Sequence, residues 1–244
     1  MSRGKKMARF AQNSQAENII EPGKPLFEYM KGQWGKEFFK NNNPIVLELA
    51  CGRGEYSTGL ASHYPNKNFI GIDVKGDRIW KGSQLALKEG LKNVAFLRTF
   101  ILELEKFFDE GEVDEIWLVF PDPRPRIRDA KRRLTAPRYL KLYSKIIKKN
   151  GLFRLKTDNT NLFEYSCHIA KLLGMENIVS TDNLYQNEDL LAEHHGITTR
   201  YEKEWNAKGM TIKYLKFTFP SELIQLTPEQ EAESNAQDSE EEVL

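Results

Sequence analysis

Residues 44–61 read PIVLELACGRGEYSTGLA. An almost unbroken apolar run ends in Ala50-Cys51-Gly52-Arg53-Gly54, which is how a buried strand feeds a glycine loop and then a helix. Four further stretches share the strand character: NFIGIDV (68–74), VAFLRTF (94–100), EIWLVFP (115–121) and GLFRLKT (151–157). Near-continuous hydrophobicity suits parallel strands covered on both faces. The intervening segments read as helices. Arg138 to Lys149 places Tyr139, Leu140, Tyr143, Ile146 and Ile147 on one stripe, with Gly151 as its stop, and Asn161 to Leu173 is striped in the same way. This alternation predicts an α/β fold, a Rossmann-like doubly wound, mostly parallel sheet of about seven strands. Residues 175–181 and 212–219 supply the last strands, and the interval 182–211 carries no helix that the pattern places. A long insertion of that kind is often functional.

The chain has 244 residues and a formal net charge of +1. That near-neutrality is uneven. Residues 221–244 hold eight acids and no Lys or Arg, so residues 1–220 carry about +9, which points to a polyanionic partner. The ends read as a basic flexible arm over 1–20 and an acidic disordered tail over 225–244, around a single domain of 21–224. Two cysteines, Cys51 and Cys167, make neither a disulfide framework nor a thiolate metal site, and the four histidines lack zinc spacing, so no metal is expected. No apolar run approaches the roughly 18–20 residues of a membrane span. The basic N-terminus lacks the apolar stretch of a signal peptide, which leaves the cytoplasm as the natural compartment.

In a doubly wound sheet a ligand binds beyond the carboxyl ends of the strands, and the first strand-to-helix loop is its usual cradle. Gly52 and Gly54 allow close backbone approach there. A dinucleotide fingerprint would place a third glycine at position 57, which is Ser57, and this disfavours a nicotinamide dehydrogenase. Asp73 closes the second strand about twenty residues beyond the loop, where an acid accepts ribose hydroxyls. Loop, acid and missing third glycine together resemble the S-adenosylmethionine-dependent methyltransferases of the Rossmann-like class. Glu48 fits the same resemblance, as a carboxylate near the cofactor's amino-acid end or sulfonium. Read on its own, it is an acid awaiting a nearby Arg or Lys.

The fourth strand ends in PDPRPRIRDAKRRLTAPR (121–138). Pro121 and Pro123 stiffen the turn around Asp122, and the arginines and lysines behind it suit phosphate. FPDPRPRIRDAKRRL, KTDNTNLFEY and TTRYE, in that order, are similar to three motifs of the bacterial tRNA (guanine-N7-)-methyltransferases, and the resemblance spans residues 26–219. It implies a class I methyltransferase sheet whose last strand pair includes an antiparallel strand. It implies S-adenosylmethionine as cofactor and tRNA as partner, with guanine 46 of the variable loop as acceptor. Carried over by position, Glu48, Gly52, Gly54, Asp73, Phe100 and Asp122 face the cofactor, and Asp122 is also the catalytic residue. Arg126, Asp158, Thr199, Arg200, Tyr201 and Glu202 face the substrate. Arg128, Lys131, Arg132 and Arg133 contact RNA. Three positions depart from the family. Ala50 replaces the first loop glycine, which is tolerable if its φ stays negative. Phe100 stands where a third cofactor-contacting acid is expected, so a packed ring and backbone groups would take over adenine. Arg124 replaces an aromatic residue, with no evident role.

Guanine N7 offers an in-plane lone pair and carries no proton, so the reaction needs positioning and water exclusion more than a strong base. Two other classes share parts of the pattern. A small-molecule methyltransferase of the same fold would have no use for the basic run. A non-catalytic RNA-binding module on the same fold would bind no cofactor.

Overall fold

The computed structural model describes residues 3–236. In chain order the elements are α1 (Arg3–Gln15), β1 (Ile19–Ile20), β2 (Ile45–Leu49), α2 (Glu55–His63), β3 (Asn68–Ile72), α3 (Gly76–Lys88), β4 (Val94–Leu97), β5 (Val113–Val119), α4 (Pro137–Ile146), β6 (Ile147–Thr157), α5 (Thr160–Leu172), β7 (Glu176–Thr181), α6 (Glu188–Ala192), α7 (Arg200–Asn206), β8 (Lys213–Thr218) and α8 (Pro228–Ala236). The sheet order is β1-β4-β3-β2-β5-β6-β8-β7. Strands β1 to β6 pair in parallel, and β8 runs antiparallel to both β6 and β7. The expected doubly wound sheet with an antiparallel strand in its last pair is present, with eight strands rather than about seven.

The continuous apolar runs have the predicted cause. Every residue of β2 and of β3 is buried. Ile45, Leu47 and Leu49 join one core with Tyr143 of α4 and Ile169 of α5. Val46 joins the other with Tyr56 of α2 and Ile79 of α3. The chain order reverses between β2 and β5, the crevice at which doubly wound sheets bind ligands.

Three segments differ from the sequence reading. Residues 1–20 were expected to be a flexible arm, yet 3–15 form α1 and 19–20 form β1 beside β4. The few apolar and amide side chains there are well placed. Ile19 is fully buried, Asn13 donates to the Gly76 carbonyl at 2.8 Å, and the Arg9 guanidinium lies 4.5 Å from the Trp80 ring centre. The helix expected over 138–149 ends at Ile146, because Ile147 turns to extended backbone and starts β6. Gly151 therefore lies inside a strand, at an irregularity in the β5–β6 ladder, rather than stopping a helix. In the acidic segment, 228–236 form α8 beside the turn at 127–132, with Glu231 2.5 Å from Lys141. The rest of the expected tail, 237–244, lies outside the described residues. Among the described residues no helix is long and apolar enough to cross a membrane.

The insertion 182–211 is not featureless. It holds a short 3-10 turn (Leu184–Gln186), α6 and α7. Leu184 and Leu190 bury against Ile212 and Tyr214, with Phe120 packed alongside, so the insertion is fastened next to the end of β5.

Candidate active site

The parallel register aligns the carboxyl ends of β3, β2, β5 and β6. Asp73, the glycine loop, Asp122 and Asp158 leave the sheet there in spatial order, although they come from separate parts of the chain.

The loop is tightly fitted on one side and open on the other. A Cβ at Gly54 would meet the Phe96 ring at 2.4 Å, and one at Gly82 would meet the Arg53 carbonyl at 2.6 Å, so both positions let α3 close on the loop. A Cβ at Gly52 would meet nothing within 4 Å, leaving a cradle beside the acids. The condition under which Ala50 would be tolerated, a negative φ, is not met. The residue lies at φ 53, in the left-handed region, because the next peptide is pinned by the Cys51 N–H on the Ile72 carbonyl at 2.9 Å. A non-glycine residue there carries a penalty of about 1–2 kcal/mol. Ala50→Gly is therefore expected to stabilise the fold. After subtracting the extra chain entropy glycine brings to the unfolded state, about 1 kcal/mol remains. That corresponds to a melting-temperature rise of about 2–4 °C for a chain of this size, measurable by calorimetry. A fall in melting temperature would refute the strain at this position.

Glu48 breaks an otherwise apolar strand and is 5% exposed. Its Oε2 accepts from the Ser57 N–H at 2.7 Å and from the Ser57 hydroxyl at 2.5 Å, so Ser57 caps the carboxylate where a dinucleotide-binding chain would have glycine. Burial pushes the Glu48 carboxyl up to about 8, against the lowering effect of the two Ser57 bonds. Asp73 bridges the loop to its own strand end, accepting from Gly52 N–H at 3.0 Å and Lys75 N–H at 2.8 Å. Among the described residues neither acid lies in an ion pair, which sets aside the reading of Glu48 as a carboxylate paired to a base. Two buried carboxylates beside an open cradle suit a cationic ligand with hydroxyls. Phe100 lies three residues beyond β4 and is 65% exposed, and Val74 beside Asp73 is also exposed, which is an apolar surface for a flat ring system.

The Asp122 turn is shaped from below. Phe120 and Arg124 both have positive φ, 49 and 50. The Arg124 N–H donates to Asp122 Oδ1 at 3.2 Å and its Nε lies 3.2 Å from Oδ2. The Arg124 carbonyl in turn accepts from Arg133 Nε at 3.3 Å and Nη2 at 3.1 Å. Arg133 is 1% exposed and its guanidinium lies 4.5 Å from the Tyr165 ring centre. These distances give Arg124 the role that its sequence position left open. They also correct the reading of Arg133 as an RNA contact, since its charged group points inward to hold the turn. Arg126, Arg128, Lys131 and Arg132 are exposed on the 3-10 turn that follows, with Ala130 buried beneath them.

The remaining positions divide. Asp158 is half-buried at the end of β6, and its carbonyl accepts from Lys213 at 3.2 Å. Thr199 and Glu202 form the capping box of α7 and are both buried, so their side chains are committed to structure rather than open to substrate. Glu202 Oε1 further lies 2.5 Å from Lys156 and accepts from the Tyr185 hydroxyl at 2.7 Å. Arg200 and Tyr201 between them face outward, Arg200 pairing with Glu204 at 2.7 Å and the Tyr201 ring 56% exposed. Sequence reasoning passed over Lys156, although a lysine inside the buried run GLFRLKT is itself a signal that an acid must meet it. Among the described residues no group of three or more His, Cys, Asp or Glu side chains could hold a metal ion.

Comparison with known proteins bears on the family of the chain. A family model described as "Putative methyltransferase" matches residues 42–215. The tRNA (guanine-N(7)-)-methyltransferase of Cytophaga hutchinsonii is 46% identical over 88% of this chain and 97% of that protein. The protein of the same name from Bacteroides fragilis is 49% identical over 79% of this chain and 75% of its own length. Among solved structures, an antibiotic-related methyltransferase shares the fold at TM-score 0.56 and 17% identity, covering 86% of this chain and 98% of its own. A 16S rRNA methyltransferase shares it at TM-score 0.56 and 13% identity, over 83% and 99%.

Proposed function

This chain belongs to the tRNA (guanine-N(7)-)-methyltransferase family and is an S-adenosylmethionine-dependent enzyme, and from that premise we propose that it methylates guanine 46 in the variable loop of tRNA, with Asp122 at the reacting centre. The observation that carries the assignment of the site is one sheet edge. There the open glycine cradle with its two unpaired acids adjoins an exposed Asp122, and outward-facing cations follow within ten residues.

The residues fit the cofactor. Glu48, Asp73 and the open side of Gly52 would hold its amino-acid and ribose ends, and Val74 and Phe100 would flank its adenine. S-adenosylmethionine, when bound, supplies an electrophilic methyl group on a sulfonium. A cation set against Glu48 favours its carboxylate, so binding and proton release at Glu48 go together.

The protein's work is to aim guanine. Guanine N7 carries an in-plane lone pair and no proton. No proton moves, so no strong base is required. Asp122 and Asp158, ending adjacent strands, accept from the N1–H and N2–H₂ edge and offset the positive charge that the base acquires. Arg126 faces the same mouth, and Arg128, Lys131 and Arg132 grip phosphates of the strand that presents the base, once it is drawn from its stack. Tyr201, exposed on α7, is placed to stack on a base. A cytoplasmic location, where tRNA resides, accords with this reading.

The test is to map N7-methylguanine by borohydride–aniline cleavage in bulk tRNA from cells with and without the protein. Cleavage at guanine 46 is expected only when the protein is present. Persistence of that cleavage without it would refute the acceptor assignment, and cleavage lost at a different guanine would relocate it.

A further inference from the structure

We propose that Lys156 is a positioning residue for the transfer, its buried ammonium group fastening the 182–211 insertion to the helix behind the glycine loop. The inference rests on the reading of the sheet edge given above, and names what holds that edge in register.

Four segments must keep a fixed relation for transfer to occur: the cofactor loop, the Asp122 turn, the Asp158 strand end and the insertion bearing Tyr201. Lys156 is tied to each of them, by a direct contact or through the adjoining chain. Its Nζ donates to the Tyr56 hydroxyl at 2.7 Å, and Tyr56 is the second residue of α2, directly behind Gly54. The same Nζ lies 2.5 Å from Glu202, one residue beyond Tyr201. Its carbonyl accepts from the Phe120 N–H at 2.8 Å, two residues before Asp122. Asp158 follows it by two residues. The contact is dry, with Lys156 1% and Glu202 0% exposed. The insertion adds a second tie to the same point, since the Tyr56 hydroxyl lies 2.9 Å from His194 Nδ1.

A buried ion pair is a poor device for stability alone, because an apolar pair of similar volume often does as well. It is a good device for orientation. Two buried polar groups from different elements, the Tyr56 hydroxyl and the Glu202 carboxylate, must both meet one ammonium, and a small rotation of α7 or α2 leaves one of them unpaired. Apolar packing of Leu184 and Leu190 would tolerate such a rotation more easily.

The test uses the full-length protein and variants that spare the packing. Tyr56→Phe keeps the ring against Trp117 and removes only the hydroxyl. Lys156→Met keeps the length and removes the charge. Melting temperature, S-adenosylmethionine affinity, and kcat and KM on tRNA transcript are measured for each. Tyr56→Phe is expected to lower kcat about 10-fold, and Lys156→Met about 100-fold, per folded molecule, the scale expected from a misplacement of about 1 Å. Cofactor affinity should change less than about threefold in both. Combined with Glu202→Gln, Tyr56→Phe should be non-additive in kcat/KM, since both effects pass through one ammonium. The proposal fails if either single variant turns over at the native rate per folded molecule, or if the combined losses simply multiply. Asp122→Ala serves as the control for the underlying reading. If it is inactive while the Lys156 variants are native-like, only this inference falls. If Asp122→Ala itself is active, the assignment of the edge falls with it.

Discussion

Asp122→Ala is expected to lower the single-turnover rate of methyl transfer by about 10³-fold while leaving the fold intact. The Asp122 side chain is 62% exposed, and its side-chain partners are the Arg124 N–H and guanidinium, both at 3.2 Å. An exposed pair of this kind contributes about 0–1 kcal/mol. Stability should therefore change by no more than about 0.5–1 kcal/mol, a shift of about 2–4 °C at most. The catalytic loss is larger because, on the proposed reading, the carboxylate would face the charge that develops on the base, on a turn already held by two strained residues and by Arg133. Asp122→Asn separates the two duties. It keeps an oxygen for the Arg124 N–H and removes the charge, so it should fold like the native protein and remain at least about 10²-fold slow. Labelled cofactor and a tRNA transcript suffice for the measurement. Turnover of either variant within about threefold of native would remove Asp122 from the reacting centre.

The same residues show why parts of this site were readable in sequence and others were not. Burial on both faces writes a parallel strand as an apolar run, so β2, β3 and β5 were legible, and an acid such as Glu48 stood out inside one. Ser57 was legible as a departure, but its bonds to Glu48 depend on how α2 meets the strand. The sign of φ at Ala50 was not legible, because it is set by a hydrogen bond to a different strand, Cys51 to Ile72. Arg133 could not be told from Arg132 by residue type. What separates them is the three-residue period of a 3-10 turn, which puts Arg133 on the side of buried Ala130 and its neighbours outside. Thr199 and Glu202 did carry a local signal, the capping-box spacing, and the resemblance to a substrate-binding motif outweighed it. The helix at 3–15 was missed because its contacts come from few side chains, chiefly Phe10, Gln12 and Asn13, in an otherwise polar stretch.

That division of the basic run leads to the second large effect. The triple variant Arg128→Gln/Lys131→Gln/Arg132→Gln should weaken tRNA binding by about 10²–10³-fold near 0.1 M salt, if each loses one charge-assisted contact to phosphate. All three side chains are exposed, and the pair Arg132–Asp129 at 3.0 Å keeps its arginine 60% exposed, so the fold should lose little. The slope of log affinity against log salt should fall by about 2–3, because each phosphate contact contributes roughly 0.7–0.9. Cofactor affinity should stay native, since the three sit on the 3-10 turn beyond Asp122 rather than on the glycine loop. Arg133→Met is the informative contrast. It removes the anchor on the Arg124 carbonyl and a buried cation beside Tyr165, so it should lower the melting temperature and the transfer rate. Its salt slope should remain native, because the side chain is 1% exposed and meets no phosphate. Filter binding of one tRNA transcript across several salt concentrations distinguishes the outcomes. An unchanged slope in the triple variant would return the outer cations to an ordinary solvated turn. An equal drop in slope for Arg133→Met would mean that the buried arginine turns outward when RNA arrives, and that the Asp122 turn is rebuilt on binding.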